Sequence, residues 1–184
     1  MNEGFNGFLP HGLDLVVDFV NTLDIDEQTD TLRTPAQLGE WLSVRGLSDA
    51  ATPSAAEHRR AIALREALRS ALLAHNGVEP DADPEVELER AAARGLLRVH
   101  FHGADAVALE PSAAGVDGAL ARILVPVVHA TADRTWSRVK ACRADGCHWA
   151  FYDRSRNRAG VWCDMAVCGN RTKVRTFRER SPRP

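Results

Sequence analysis

The chain has 184 residues, of which 45% are hydrophobic, and its formal net charge is −2. This length allows one or two domains, and the hydrophobic content is sufficient for a packed core. The longest apolar stretch, Ile123 to Ala132, is interrupted by Pro126 and His129 and falls short of the roughly 20 residues that span a bilayer. We therefore predict neither a transmembrane helix nor a signal peptide, and we expect a cytoplasmic protein.

The small net charge conceals an uneven distribution along the chain. Residues 1–134 contain 11 basic and 21 acidic residues, a charge of −10, whereas residues 135–184 contain 12 basic and 4 acidic residues, a charge of +8. A concentrated positive charge is typical of a segment that binds nucleic acid, although a solvated tail, or a tail neutralised by the acidic segment, has the same composition. Arginine outnumbers lysine 21 to 2, which favours a bacterial genome rich in G and C.

Three helices are predicted in the first part of the chain. An i, i+3, i+4, i+7 spacing of apolar residues predicts the first over about 12–23. The second begins after the cap residue Thr34. The third begins at a capping box formed by Ser54 and Glu57 and continues to about Asn76.

The pattern changes after a fourth helix, which is predicted over 85–94. Apolar residues alternate with polar ones over 97–101 and recur at 107–109. A turn at 103–105 separates the two runs, so a β-hairpin is predicted.

A further helix is predicted over 117–133, bent or broken near Pro126, and a strand over 136–141. Together these elements predict an α+β fold in two parts. Residues 1–134 form a mainly helical N-terminal domain with a β-hairpin, and residues 135–184 form a small treble-clef-like or ribbon-like zinc module that ends in a helix.

All four cysteines lie in the last quarter of the chain, as Cys142-x4-Cys147 and Cys163-x4-Cys168. Two close pairs joined by a loop are typical of a tetrahedral zinc site closed by four thiolates. Disulfides are disfavoured in a reducing cytoplasm, and a catalytic zinc would leave one coordination position open. We therefore predict one structural zinc per chain on these four cysteines, with His148 as an alternative ligand.

Cys163 and Cys168 cannot both face one metal from a continuous helix, because a separation of five residues places them about 140° apart. We therefore expect Cys163 to precede the last helix, Asp164 to cap it, and Cys168 to lie in its first turns. The helix should end near Arg180.

On this last helix Arg171, Arg175 and Arg178 fall at i, i+4 and i+7, which predicts a single basic stripe. Val174 and Phe177 are expected to face the module. Further cations lie in the loop between the two cysteine pairs. The candidate nucleic-acid-binding residues are Arg154, Arg156, Arg158, Arg171, Lys173, Arg175 and Arg178.

Several motifs resemble those of a bacterial family. The run Cys168-Gly169-Asn170-Arg171, preceded by Trp162-Cys163-Asp164-Met165 and by FYDRSRN at 151–157, closely resembles the CGNR zinc finger. Upstream, LVVDFVNT at 15–22 and LREALR at 64–69 resemble the ABATE domain that is usually paired with this finger. The resemblance covers nearly the whole chain and implies a stress-induced transcription regulator with a DNA-binding finger.

The sequence departs from the family at one place. Family members usually carry two arginines just before the Trp-Cys pair, whereas this chain has Ala159-Gly160-Val161 there. If those arginines contact phosphate, two contacts are missing here.

A candidate ligand pocket is formed by Asp18, Asn21 and Thr22 at the end of the first helix, together with Arg65. The alternative is a structural ion pair, in which Asp18 contacts Arg65 or Arg69.

The sequence therefore predicts a DNA-binding transcription regulator rather than an enzyme. The zinc module would hold DNA, and the N-terminal domain would sense a small-molecule ligand or form a homodimer. Two alternatives are an RNA-binding protein, because charge does not separate the two polymers, and an enzyme with its site in the N-terminal domain. For the second, the chain shows no nucleophile–base pair or phosphate-binding loop.

Overall fold

The computed structural model describes residues 9–48, 52–79, 83–103 and 106–180. In these ranges the chain is mainly helical, with three short antiparallel β-hairpins and a four-cysteine cluster before the last helix. The α+β class predicted from the sequence is therefore confirmed.

The helices are α1 (Leu13–Val20), α2 (Pro35–Val44), α3 (Ala55–Ala74), α4 (Pro84–Gly95), α5 (Gly115–Ala132) and α6 (Asn170–Arg180). The strands pair in chain order as β1 (Leu23–Asp24) with β2 (Thr29–Asp30), β3 (Leu97–Phe101) with β4 (Val107–Pro111), and β5 (Val139–Ala141) with β6 (Ala150–Tyr152).

Local capping determines where α2 and α3 begin. The Thr34 side chain accepts a hydrogen bond from the Gln37 amide, and the Ser54 side chain accepts one from the Glu57 amide. Both capping boxes are complete, and each cap contributes about 1 kcal/mol. The predicted starts of these two helices are confirmed.

Two predicted boundaries differ from the structure. The first helix ends at Val20 rather than at residue 23, because the chain turns there into the short strand β1. Residues 136–138 form a 3-10 turn, so the strand predicted over 136–141 begins only at Val139. Residues 104 and 105 of the predicted hairpin turn lie outside the described ranges.

Helix α5 lies at the centre of the hydrophobic core, against α1, α3 and α4. By length and composition it would suffice to cross a membrane. Nine of its 18 residues are buried inside the protein, among them Leu120 and Ile123, as is typical of a core helix. The helix continues through Pro126 without the predicted break.

The hairpin β5–β6, which leads into the cysteines, packs against α1 and α3. Val139, Ala141 and Ala150 are buried in the same hydrophobic cluster as the helices. The amide of Asn21 also donates to the carbonyl of Ala150 at 2.9 Å and accepts from its N–H at 2.7 Å. The two predicted parts thus share a hydrophobic core. The boundary between two domains at residue 134 stays a prediction.

A buried arginine on α3 connects three segments of backbone. The Arg69 guanidinium donates to the carbonyls of Val20 at 2.6 Å, Leu23 at 3.3 Å and His148 at 3.0 Å. Glu66 is its acidic partner at 3.1 Å. Burial lowers the pKa of Arg69. This side chain joins the end of α1, strand β1 and the loop between β5 and β6.

Replacing Arg69 with alanine should lower the free energy of unfolding by about 3 kcal/mol or more, because buried carbonyls lose their donor and Glu66 loses a partner. Arg59→Ala is the matched control, since Arg59 is exposed on the same helix. Its effect should stay within about 0.5 kcal/mol. Urea unfolding of the zinc-loaded protein measures both, and equal effects would contradict the connecting role of Arg69.

Candidate zinc centre and nucleic-acid interface

The four cysteine sulfurs converge on one point. The Sγ atoms of Cys142, Cys147, Cys163 and Cys168 all lie within 4.8 Å of one another. Cys163 Sγ is 3.7 Å from the Sγ atoms of both Cys147 and Cys168. A tetrahedral site with Zn–S bonds of about 2.3 Å requires about 3.8 Å between sulfurs, whereas a disulfide requires about 2.05 Å. The cluster therefore fits one structural zinc ion and not two disulfides.

The first cysteine pair lies on a tight turn that follows β5. The N–H of Cys142 donates to the carbonyl of Trp149 at 2.9 Å, and the N–H of Cys147 donates to that of Ala144 at 3.0 Å. Gly146 has a φ of 78°, which favours glycine because a side chain there would be strained. This turn brings both sulfurs to the same side of the backbone.

The second pair precedes α6. The Asp164 carboxylate accepts from the N–H of Ala166 at 2.7 Å and of Val167 at 3.1 Å, as predicted for the cap. The turn Met165–Gly169 is a π-helix rather than an α-helix. In a π turn hydrogen bonds join residues five apart, as from the Gly169 N–H to the Asp164 carbonyl at 3.2 Å. Cys163 lies before this turn and is separated from it by the extended cap residue Asp164, so Cys163 and Cys168 are not on one continuous helix and can face the same metal.

Asn76, just after α3, connects the two cysteine pairs to the helical core. Its side-chain amide donates to the carbonyls of Ala141 and Val161, both at 2.8 Å. These carbonyls lie one and two residues before Cys142 and Cys163. From the sequence, Asn76 was predicted only to lie at the end of the third helix, because a contact between residues distant in the chain leaves no pattern in local spacing.

Without a cation the sulfurs cannot all ionise. Hydrogen bonds with Cys147 and Cys163 lower the pKa of Cys142 to about 2. Hydrogen bonding to Cys142 raises the pKa of Cys147 to about 12 and also raises the pKa of Cys163. A second thiolate is unfavourable beside the first, and a divalent cation removes this penalty. The donor set therefore also fits zinc chemically.

The arginine-rich loop that follows β6 is held by a buried ion pair. Lys140 Nζ lies 2.7 Å from Asp153 Oδ2 and donates to the carbonyls of Arg158 at 2.6 Å and Gly160 at 3.0 Å. Burial alone would raise the pKa of Asp153, but the hydrogen bonds from Lys140, Ser155 and Gly160 outweigh it and lower the pKa to about 2. The pair gives the loop a defined shape.

The departure from the family pattern has a local explanation in this loop. A Cβ added to Gly160 would lie 2.8 Å from Asp153 Oδ1, and the Gly160 N–H already donates to Asp153 Oδ2 at 2.8 Å. An arginine at this position would displace the buried carboxylate.

The loop cations lie at the surface. Arg154, Arg156 and Arg158 are all exposed. The Arg154 guanidinium lies 5.9 Å from the Tyr152 ring centroid, and Arg158 donates to the Ser137 hydroxyl at 3.1 Å. They therefore form a second group of exposed cations, in the loop that precedes Cys163.

Two arginines of the α6 stripe are paired with carboxylates. Arg171 makes a bidentate contact with Asp26 at 2.7 and 2.8 Å, and Arg175 lies 2.7 Å from Asp145. The hydrogen bond to Asp26 raises the pKa of Arg171, and the same bond lowers the pKa of Asp26. Asp26 lies in the β1–β2 turn, so the N-terminal part of the chain directly contacts the predicted nucleic-acid surface.

The predicted orientation of α6 is wrong. Val174 and Phe177 do not face the module, since they are 49% and 72% exposed. Of residues 170–178, those that are half-buried are Thr172 and Thr176. The Thr172 hydroxyl donates to the Cys168 carbonyl at 2.9 Å. The two threonines, and not the apolar pair, therefore occupy the less exposed side of the helix.

The residues of the candidate ligand pocket are used in other contacts. Asp18 pairs with Arg45 at 3.5 Å, so the predicted ion pair to Arg65 or Arg69 is wrong. Arg65 is buried and makes a bidentate contact with Asp30 on β2 at 2.8 and 3.1 Å. The reason is that Asp30 on β2 lies within reach of Arg65, whereas Asp18 is exposed on α1.

Thr22 and Asn21 also have internal partners. The Thr22 hydroxyl donates to the Phe19 carbonyl at 2.7 Å and accepts from Arg65 at 3.3 Å, while Asn21 binds the Ala150 backbone. A surface cavity of about 310 Å³ lies elsewhere, between residues 46–48 and the start of α5. Its lining includes none of the four pocket candidates.

The chain was compared with known families. A model described as "CGNR zinc finger" matches residues 138–181, and a model described as ABATE, "Putative stress-induced transcription regulator", matches residues 13–145. The second match covers well over half of the chain. The chain belongs to the ABATE family. No curated protein matches it. Both resemblances identified from sequence motifs are thus confirmed.

The ABATE and CGNR matches overlap over residues 138–145. This segment contains β5 and Cys142, and β5 is buried in the helical core. The overlap in sequence therefore coincides with the strand that the zinc finger and the ABATE part share.

The purified ABATE protein should contain about one zinc per chain, bound by the four cysteines, as measured by elemental analysis. Cys163→Ser should lower the zinc affinity strongly, because it removes one of four thiolates, whereas Ser155→Ala should not. A protein without metal and with paired thiols would contradict the zinc site.

Removal of zinc by a chelator should unfold the segment after about residue 135 while the N-terminal helices persist. Tryptophan fluorescence reports Trp149 and Trp162, which pack against the cysteines, and far-ultraviolet circular dichroism reports the helices. Loss of all helical signal would instead show that the protein unfolds as one cooperative unit.

Proposed function

We propose that the protein is a DNA-binding transcription regulator. The zinc finger, residues 135–184, holds DNA, and the N-terminal domain, residues 1–134, senses a small-molecule ligand or forms a homodimer. The observation that carries the proposal is α6, a helix that starts at the metal cluster and has its cations on the surface. Both family descriptions support a regulatory role that involves nucleic acid.

Zinc would supply the structural stability that this role requires. Among the described residues after β6, those in a hydrophobic cluster are Trp162, Cys163 and Cys168, which pack with the first cysteine pair. Four thiolates on one ion fix the turn before α6 and hence the direction of the helix. The helix then presents Arg171, Lys173, Arg175 and Arg178 to the phosphates. Neutralising phosphates releases counterions, which drives binding.

The exposed loop of Arg154, Arg156 and Arg158 provides a second set of contacts. It is held by the buried Lys140–Asp153 pair, so its backbone is ordered before binding. An ordered loop loses less conformational entropy on association than a flexible tail. We propose that the loop and α6 bind neighbouring phosphates.

The ABATE description names a stress-induced regulator and not an enzyme. We infer a role in a bacterial stress response, with action in the cytoplasm. The second candidate is RNA binding, because exposed arginines attract either polymer. The DNA proposal is preferred because a B-form major groove admits a helix, whereas the major groove of A-form RNA is too narrow.

The proposal is tested by titrating the zinc-loaded full-length protein with duplex DNA and RNA of matched length and sequence, at several salt concentrations. Tighter binding to DNA is expected. Stronger binding to RNA would favour the second candidate, and no binding to either at low salt would contradict a nucleic-acid role.

The number of phosphate contacts that the basic stripe makes can be measured from the salt dependence of binding. If Arg171, Arg175 and Arg178 each contact one phosphate, changing all three to alanine should lower the slope of log affinity against log salt by about 2.7, at roughly 0.9 per contact. A charge-matched control changes three exposed arginines of the N-terminal part to alanine, namely Arg33, Arg59 and Arg98. An unchanged slope in the stripe variant, with zinc content intact, would move the site to the loop arginines.

Asp26 should weaken DNA binding, because a phosphate must displace it from Arg171. Asp26→Asn is expected to raise the affinity at low salt by about 2- to 5-fold, the range of one exposed ion pair. Glu27→Gln is the control, since it removes the same charge from the adjacent residue, which pairs with no cation in the described ranges. Equal effects of the two changes would mean that only net charge matters.

A further inference from the structure

The exposed side of α6 carries a strip that the basic stripe does not explain. At 100° per residue, Asn170, Val174 and Phe177 fall within about 60° of one another. All three are exposed, and they lie opposite Thr172 and Thr176, which face the module. An exposed apolar pair on a short polar helix is unfavourable in water unless something covers it.

Cations border this strip on both sides. Lys173 lies about 40° beyond Phe177 on one side, and Arg178 lies about 40° beyond Val174 on the other. Both are exposed, and no carboxylate in the described ranges pairs with them. A partner surface that complements this strip would therefore have apolar and hydrogen-bonding groups along its centre and negative charge along both edges.

The major groove of duplex DNA has this character, since base edges form its floor and phosphates its two walls. It is about 12 Å wide and admits a helix of about 10–12 Å in diameter. We propose that Asn170, Val174 and Phe177 contact base edges in the major groove, with Lys173 and Arg178 on phosphates of the two walls. This inference rests on the proposed function and adds the residues that read sequence.

The side chains suit different features of the groove. The Asn170 amide donates one hydrogen to the Ala166 carbonyl at 3.0 Å. Its other hydrogen and its oxygen are the pair that adenine requires. Val174 and Phe177 offer apolar contacts for thymine methyl groups. The strip therefore favours sites that contain A·T pairs.

The decisive experiment is a selection from random duplex DNA with the zinc-loaded full-length protein, repeated with single variants. Phe177→Ala should lower the affinity for the motif selected by the parent by about 5- to 100-fold, as expected for one lost base contact. Its salt slope should not change, because no charge is removed. Arg178→Ala should keep the same motif while its slope falls by about 0.9.

Phe101→Ala is the matched control, because Phe101 is also an exposed phenylalanine, 76% exposed on β3. It should select the same motif with the same affinity as the parent. Phe177 is exposed, so its replacement should leave the zinc content and the circular dichroism unchanged, and both are measured.

Several outcomes would overturn the inference. If Phe177→Ala keeps the affinity and motif of the parent, or the parent binds DNA without enriching any motif, the strip does not read bases, although nucleic-acid binding stands. Preference for RNA, or loss in Phe177→Ala of binding to anionic phospholipid vesicles but not to DNA, would assign the strip to another partner. No nucleic-acid binding at all would remove the proposed function as well.

Discussion

Four thiolates close to one another repel unless a cation lies between them, and much of the C-terminal structure depends on this requirement. The sulfurs come from two separate turns, one after β5 and one before α6. Their convergence determines where α6 starts and in which direction it leaves the protein. The metal site thus stabilises the folded form of this segment, as the hydrophobic core stabilises the helical part. It also fits the extended conformation of Asp164, which places Cys163 outside the π turn that carries Cys168.

The acidic and basic parts of the chain contact each other in the folded protein. The acidic first part and the basic last part meet where Asp26 binds Arg171. The β1–β2 turn that carries Asp26 is itself held by Arg65 and Arg69, which are buried in α3. A surface ion pair is weak in isolation, but here its partners are positioned by buried groups on both sides. The opposite charges of the two parts, which the composition gives only as sums, therefore meet at one specific ion pair.

The sequence predicted those features that depend on local spacing. Capping boxes at Thr34 and Ser54, the β3–β4 hairpin and the closed cysteine set each involve residues close in the chain, so their patterns are visible in one dimension. The partner of Arg65 was missed because β1 and β2 have two residues each, too few for a periodic signal. Asn76 was missed because its acceptors are distant in sequence. The orientation of α6 was wrong because apolar residues were assumed to face inward, whereas hydroxyl residues do so here.

Strand β5 belongs to two structures at once. Its side chains complete the hydrophobic core of the helices, and its last residue precedes the first zinc ligand. Free energies of binding at two sites that share such an element are reciprocal. A ligand that stabilises the helical part would also increase the affinity for zinc, and by the same factor zinc would increase the affinity for that ligand. If the N-terminal part binds a ligand as proposed, the metal would be an effector as well as a support, and its availability in the cell would set how readily the protein responds.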